Sequence, residues 1–369
     1  MKIPYLSFEY TNKIIKKEVQ DAFEEFFNKG YYILGESVSN FEIAYAEFNK
    51  ISYTVGISNG LDALYIALKV LEIGKDDEVI VPANTYIASI LAISHVGATP
   101  ILVEPNIDTY NINPSLIEKA INSRTKAILP VHLYGQACDM DAICSIANKH
   151  SLFIIEDNAQ AHGANWNGQM TGTWGHINAT SFYPGKNLGA LGDAGAITTN
   201  NENFAKKALL LRNYGSKEKY YNDILGHNMR LDELQAKILI IKLKYLQSWT
   251  LNRIEIANWY EEELHPYLNN IILPYNNPKS KHVYHLYVIR TKKRNELQKY
   301  LATQGIGTLI HYPVPPHLQK AYIHLNKCKG DYQITEEIAD TCLSLPLWPG
   351  MQKADVKKVA DSIGRFFNS

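Results

Sequence analysis

SLFIIED, residues 151–157, is a short apolar run closed by two carboxylates. Four apolar residues in a row are too few for a helix and suit a strand buried on both faces. Asp157 then stands at the strand's carboxyl end. Toward the N-terminus the same texture returns in DEVIVP (77–82), in residues 100–103 and in TKAILPV (125–131). Helical patterns lie between or before these runs, at 61–71 and 139–150. Strands separated by helices predict a doubly wound, mostly parallel sheet. Such sheets bind ligands at the carboxyl ends of their strands, so the polar residues that follow each strand carry the functional information.

Toward the C-terminus the texture changes near Leu231. Residues 231–249 predict one long amphipathic helix, and 253–264 continue helical. A Pro/Asn-rich loop (273–280), a strand (285–290) and a helix (294–304) follow. The chain has 369 residues, more than one hydrophobic core usually supports. The expected organisation is a large α/β domain over 1–245, N-terminal segment included, and a smaller α+β domain over 246–369.

Lys+Arg and Asp+Glu both number 37, so no global field draws the chain to nucleic acid or to an anionic membrane. No window approaches a membrane span or a signal peptide, which predicts a cytoplasmic protein. Cys138, Cys144, Cys328 and Cys342 form no CxxC pair and read as reduced thiols. The histidines, including the pair His282 and His285, show no metal-ligand spacing, and no metal is expected. The 24 tyrosines are many, and buried ones need hydroxyl partners, so some are expected to line polar cavities.

Four segments carry the chemistry. In SFYPGKNLG (181–189), Lys186 sits among small, uncharged residues. A lysine nucleophile must be partly desolvated to lose its proton near neutral pH. Alone, the segment fits a surface lysine in a Gly-rich turn equally well. Asp157 is either a ligand group at a strand end or a helix cap. SNGLDAL (58–64) opens directly into a helix, whose free N–H groups can hold a phosphate, with Ser181 as a further donor; it also fits a plain Asn-Gly turn. Tyr86, after the strand ending at Pro82, can stack on a flat ring or simply pack in the core.

Taken together, these stretches resemble the DegT type of nucleotide-sugar aminotransferase, a branch of the pyridoxal-phosphate enzymes of fold type I. The resemblance runs through ILG (33–35), SNGLDAL (58–64), PANTYIAS (82–89), PVHLYGQ (130–136), EDNAQAHGA (156–164), SFYPGKNLGALGDAGA (181–196), GHNMRLDELQA (226–236), HYP (311–313) and LPLWPG (345–350). It implies an aspartate-aminotransferase-like fold with pyridoxal 5'-phosphate as cofactor. Lys186 matches the Schiff-base lysine, Asp157 the partner of the pyridine nitrogen and Gln160 the neighbour of the phenolic oxygen. Tyr86 matches the stacking aromatic, and Gly60, Leu61 and Ser181 match phosphate contacts. Asn228 matches a phosphate contact from a second subunit, which implies a homodimer with shared active sites. Tyr183, Arg230, His311 and Tyr312 fall where the family places substrate-side residues.

By the same resemblance the donor is L-glutamate and the acceptor a nucleotide-linked keto-sugar. Leu61 departs from the Gly-Thr pair of members acting at C4. The form SNGLDAL is similar to members acting on dTDP-3-keto-6-deoxyhexoses, which favours a 3-amino-3,6-dideoxy product of the galactose or glucose kind. A C4 aminotransferase is the alternative. Dehydratases of this type carry histidine in place of the lysine, so Lys186 argues against one. A non-catalytic regulator gives the Lys186–Asp157 pair no task. Ala194 stands where relatives often carry Gly, and its methyl crowds the turn if φ there is positive.

Overall fold

The computed structural model describes residues 2–368. Seven strands make the main sheet: β1 (Tyr53–Ile57), β2 (Glu78–Pro82), β3 (Thr99–Val103), β4 (Thr125–Ile128), β5 (Phe153–Asp157), β6 (Ile177–Ser181) and β7 (Gly195–Thr199). Their order is β1-β7-β6-β5-β4-β2-β3. The run β6-β5-β4-β2-β3 is parallel throughout. β7 is antiparallel to both of its neighbours. The link from β6 to β7 holds no helix, and a parallel return needs a crossover. The four strands expected from apolar runs are present. β1, β6 and β7 carry no such signal, because YTVGI, INATS and GAITT lack a continuous apolar run.

Helices α1 (Glu9–Lys29), α2 (Glu36–Asn49), α3 (Gly60–Val70), α4 (Ile87–His95), α5 (Pro114–Ala120), α6 (Met140–His150), α7 (Glu202–Leu211) and α8 (Glu233–Leu243) surround the sheet. Local chemistry fixes several starts. The Asn59 side chain accepts the Asp62 N–H at α3, Asn113 accepts the Ser115 N–H ahead of Pro114 at α5, and Asp139 accepts the Ala142 N–H at α6. β2, β5 and α3 bury their apolar faces in one core with Ile66, Leu68, Val79, Val81 and Ile155.

The expected single helix over 231–249 is a correction. The helix starts only at Glu233, because Asp232 is extended and caps it through the Leu234 N–H. The Glu233 carboxylate is itself buried and accepts the N–H groups of Gly35, Ser37 and Val38, so it caps α2 instead of lying on an outer face. α8 then stops at Leu243, and α9 (Leu246–Leu264) begins anew. At the break the Tyr245 N–H closes on the Lys242 carbonyl, and the Tyr245 hydroxyl is held by Glu18 of α1. The chain turns there from the α1/α2 layer into a second core.

That second core gathers α9, α10 (Arg294–Thr303), α12 (Lys353–Asn368) and the antiparallel pair β8 (Tyr287–Arg290) and β9 (Cys342–Leu345), with α11 (Gln333–Thr341) leading into β9. Ile3 and Leu6 pack on it too. Among the described residues no helix is long and apolar enough to cross a membrane. Ala194 does not have a positive φ, so its methyl crowds no turn; it is buried beside Phe182 and Leu188.

Candidate active site

The site forms where the carboxyl ends of β5 and β6 meet the start of α3. Gly195 pairs with Ile57 on one side and with Ser181 on the other. A Cβ at Gly195 would fall 2.5 Å from the Asn59 carbonyl, so a side chain there would push β1 away. Glycine thus lets the loop 58–60 close against Ser181. At Gly60 a Cβ would fall 2.6 Å from the Ser181 Cβ. The result is a narrow cradle with the Ser181 hydroxyl on one side. The first N–H groups of α3, at Gly60 and Leu61, find no acceptor among the described residues. Such a helix end favours an anion.

Asp157 closes β5 and is buried. Its Oδ2 accepts the Ser89 hydroxyl at 2.7 Å and its Oδ1 the Ala159 N–H at 3.1 Å. The Ser89 hydrogen is committed to Asp157, so Thr85 donates to Ser89 in turn. This chain fixes the carboxylate's orientation.

Lys186 follows β6, its N–H bonded to the Tyr183 carbonyl. Its amine makes no hydrogen bond or ion pair among the described residues. The residue is half-buried. Burial pushes its pKa down to about 8, against the opposing pull of the Asp157 charge. Free base is therefore available near neutral pH. Three histidines stand close enough for the Lys186 charge to act on them. His162 is pushed down to about 3 and His311 to about 4, with burial the main cause, and His285 is also held well below its ordinary value. The lysine has neutral rings around it and one carboxylate, Asp157, acting on it.

Gln160 Oε1 accepts the Tyr134 N–H at 2.7 Å, and its Nε2 donates to the Tyr312 hydroxyl at 3.0 Å. The Tyr312 ring leans on that of Tyr86, centroids 5.3 Å apart. Tyr86 is 52% exposed, so its ring forms part of an open wall. His311 Nδ1 pairs with the Ser344 hydroxyl at 2.8 Å. Lys186, Asp157, Gln160, Tyr86, His311 and Tyr312 are thus linked around one cleft, and Gly60, Leu61 and Ser181 lie at its cradle. Tyr183 stands on the lip, 59% exposed.

Among the described residues, Arg230 and Asn228 make no contact with the side chains of this group. Arg230 bridges to Ile57 at the end of β1 and donates to Asn213. Asn228 bridges to Asn213 by its backbone and its side chain is exposed.

Sequence reasoning missed Ser89, His162 and His285. Ser89 had a signal, a lone hydroxyl on the apolar helix IASILAI. His285 showed only the lack of a metal-ligand spacing. Its ring bonds the Asn187 side chain beside the lysine. Only long-range folding makes that contact.

The family described as DegT/DnrJ/EryC1/StrS aminotransferase matches residues 13–364. The chain belongs to this aminotransferase family. A relative from Aneurinibacillus thermoaerophilus, dTDP-3-amino-3,6-dideoxy-alpha-D-galactopyranose transaminase, is 51% identical over 99% of both chains. The solved structure of S. venezuelae DesV, in complex with a ketimine intermediate, superposes with a TM-score of 0.97 at 43% identity, covering 100% of this chain and 99% of that one. Ntda from Bacillus subtilis, solved with bound cofactor PMP, gives 0.93 at 33% identity and covers 100% and 86%. The protein is an aminotransferase of PLP fold type I, and its cofactor is pyridoxal phosphate. The residues present fit that group. They supply an unpaired lysine, an oriented carboxylate facing it, and a cradle at Gly60 that a single Cβ would fill.

Proposed function

We propose that this aminotransferase converts a dTDP-3-keto-6-deoxyhexose to the 3-amino-3,6-dideoxyhexose, of the galactose type, with L-glutamate as donor. The observation that carries the chemistry is Lys186, unpaired, pushed down to about 8 and acted on by Asp157. The sugar rests on the 51% identity to the galactose-type transaminase and on Leu61 beside the phosphate cradle.

Bound pyridoxal phosphate supplies an electron sink for the charge left when a carbon loses its proton. The Gly60 and Leu61 N–H groups and the Ser181 hydroxyl hold its phosphate. The Asp157 carboxylate, oriented by Ser89 and the Ala159 N–H, would serve the pyridine nitrogen and favour its protonated form. Gln160 Nε2 serves the phenolic oxygen and Tyr86 covers the ring face. Lys186 Nζ would hold the cofactor, and its amine would take the proton from the donor's α-carbon. In the second half-reaction it delivers a proton to the sugar carbon that receives nitrogen. The neutral His162, His285 and His311 add no competing cation beside it. Tyr183, Arg230, His311 and Tyr312 line the sugar's approach.

Asn228, exposed and outside the cleft, completes the phosphate site of a second copy, so the working unit is a homodimer. We place a division into two domains near residue 245, where α8 ends and α9 enters the second core. We place the enzyme in the cytoplasm, supplying amino-sugars for surface polysaccharide such as O-antigen. The test is to incubate enzyme and glutamate with dTDP-3-keto- and dTDP-4-keto-6-deoxyhexoses and to locate the new C–N bond by NMR. A bond at C3 is expected. A bond at C4 overturns the sugar assignment, and no turnover with any keto-sugar overturns the reading.

A further inference from the structure

Against the 184–189 segment lies a second, open-sided cleft with room for about 30 Å³. Its walls include Ser7, Thr11, Lys186, Lys242, Trp249 and Arg253, and none of its lining residues is acidic. Lys242 and Arg253 are each only 5% exposed. Buried cations are normally matched by a carboxylate, because an unpaired buried charge is costly. Neither has one here. Lys242 Nζ donates to the Gly189 carbonyl, and Arg253 Nη1 donates to the carbonyls of Tyr284 and Leu347. Carbonyl dipoles satisfy those N–H groups without neutralising the charge.

Donors are also left over. The ammonium of Lys242 spends one of its three N–H bonds. Arg253 spends only Nη1; its Nε and Nη2 have no protein partner and are not among the sealed, unsatisfied atoms, so they keep accessible surface. In a residue this buried that surface belongs to the cleft wall. The Ser7 hydroxyl accepts the Glu9 N–H and has its own hydrogen free. Burial lowers Lys242 to about 8 and Arg253 to about 10, with no carboxylate acting on either.

We infer that this cleft is an anion site, taking a small carboxylate or inorganic monoanion on the free donors of Arg253, Lys242 and Ser7. It is separate from the phosphate cradle at Gly60. An occupant here places negative charge beside the 184–189 segment and offsets the cost of the two buried cations.

The test is thermal unfolding of the holoenzyme at fixed ionic strength. Sodium chloride and sodium formate are compared with the bulky sulfonate of HEPES as the only anion. The expected result is a saturable rise in Tm of about 3 °C with the small anions. A rise with formate alone assigns the site to carboxylates, and a rise with both assigns it to small monoanions. Arg253→Met removes the rise. Should that variant not fold, Ser7→Asp serves: its carboxylate can still cap the Glu9 N–H, and it supplies the missing charge in cis, so added anions no longer raise Tm. No rise with either anion, or a rise that survives unchanged in Ser7→Asp, overturns the inference.

Discussion

Lys186 belongs to the segment 184–189 and Lys242 is bonded to it, and burial pushes both down to about 8. Their surroundings differ. Lys242 is tethered to the Gly189 carbonyl and feels no carboxylate. Lys186 has no tether, faces Asp157, and opens on a cleft with an anion cradle and a ring wall. A low pKa alone therefore does not mark the reactive lysine. What marks it is freedom of the amine together with an oriented opposite charge.

Four changes test that contrast. Lys186→Ala is expected to cost on the order of 10⁴-fold or more in kcat, the scale for removing a covalent nucleophile. It also abolishes the visible absorption band of the cofactor-loaded enzyme, whereas Lys242→Met retains it. Asp157→Asn keeps the shape but removes the charge, and kcat should fall about 10²–10³-fold in steady-state assays. Unchanged turnover there would mean that Asp157 merely caps the loop. Gly60→Ala fills the cradle against Ser181. Overpacking of this kind costs about 1–3 kcal/mol, and equilibrium dialysis should show cofactor affinity falling while Asp157 and Lys186 are untouched.

The smallest effect concerns pH. The folded pKa of Lys242 lies below its ordinary 10.5. Between about pH 8 and 10.5 the unfolded chain therefore binds more protons, and stability rises with pH across that window. Below pH 8 both states hold the proton, and the folded state carries the full cost of the buried charge. Lys242→Met removes this cost. Its stability relative to wild type should be greatest at pH 7 and decline by about 1–3 kcal/mol toward pH 10.5, as read by urea unfolding. A difference independent of pH would show that folding leaves the Lys242 pKa at its ordinary value.

The parallel half of the sheet was legible because its strands are apolar on both faces. The edge built from β1, β6 and β7 was not, since INATS and GAITT owe their strand state to neighbours rather than to pattern. Asp157, Ser181 and Gly60 could be placed at strand and helix ends from local sequence. The turn at Tyr245 could not: no Gly or Pro marks it, and contacts to Glu18 and the second core decide it. The same limit hid Ser89 and His285, whose partners are distant in sequence.

The contrast between the two lysines is tested most directly by reducing the cofactor-loaded enzyme with borohydride and mapping the labelled peptide. The pyridoxyl group is expected on Lys186. Label on Lys242, on another lysine, or on none would contradict the assignment of Lys186 as the residue that holds the cofactor.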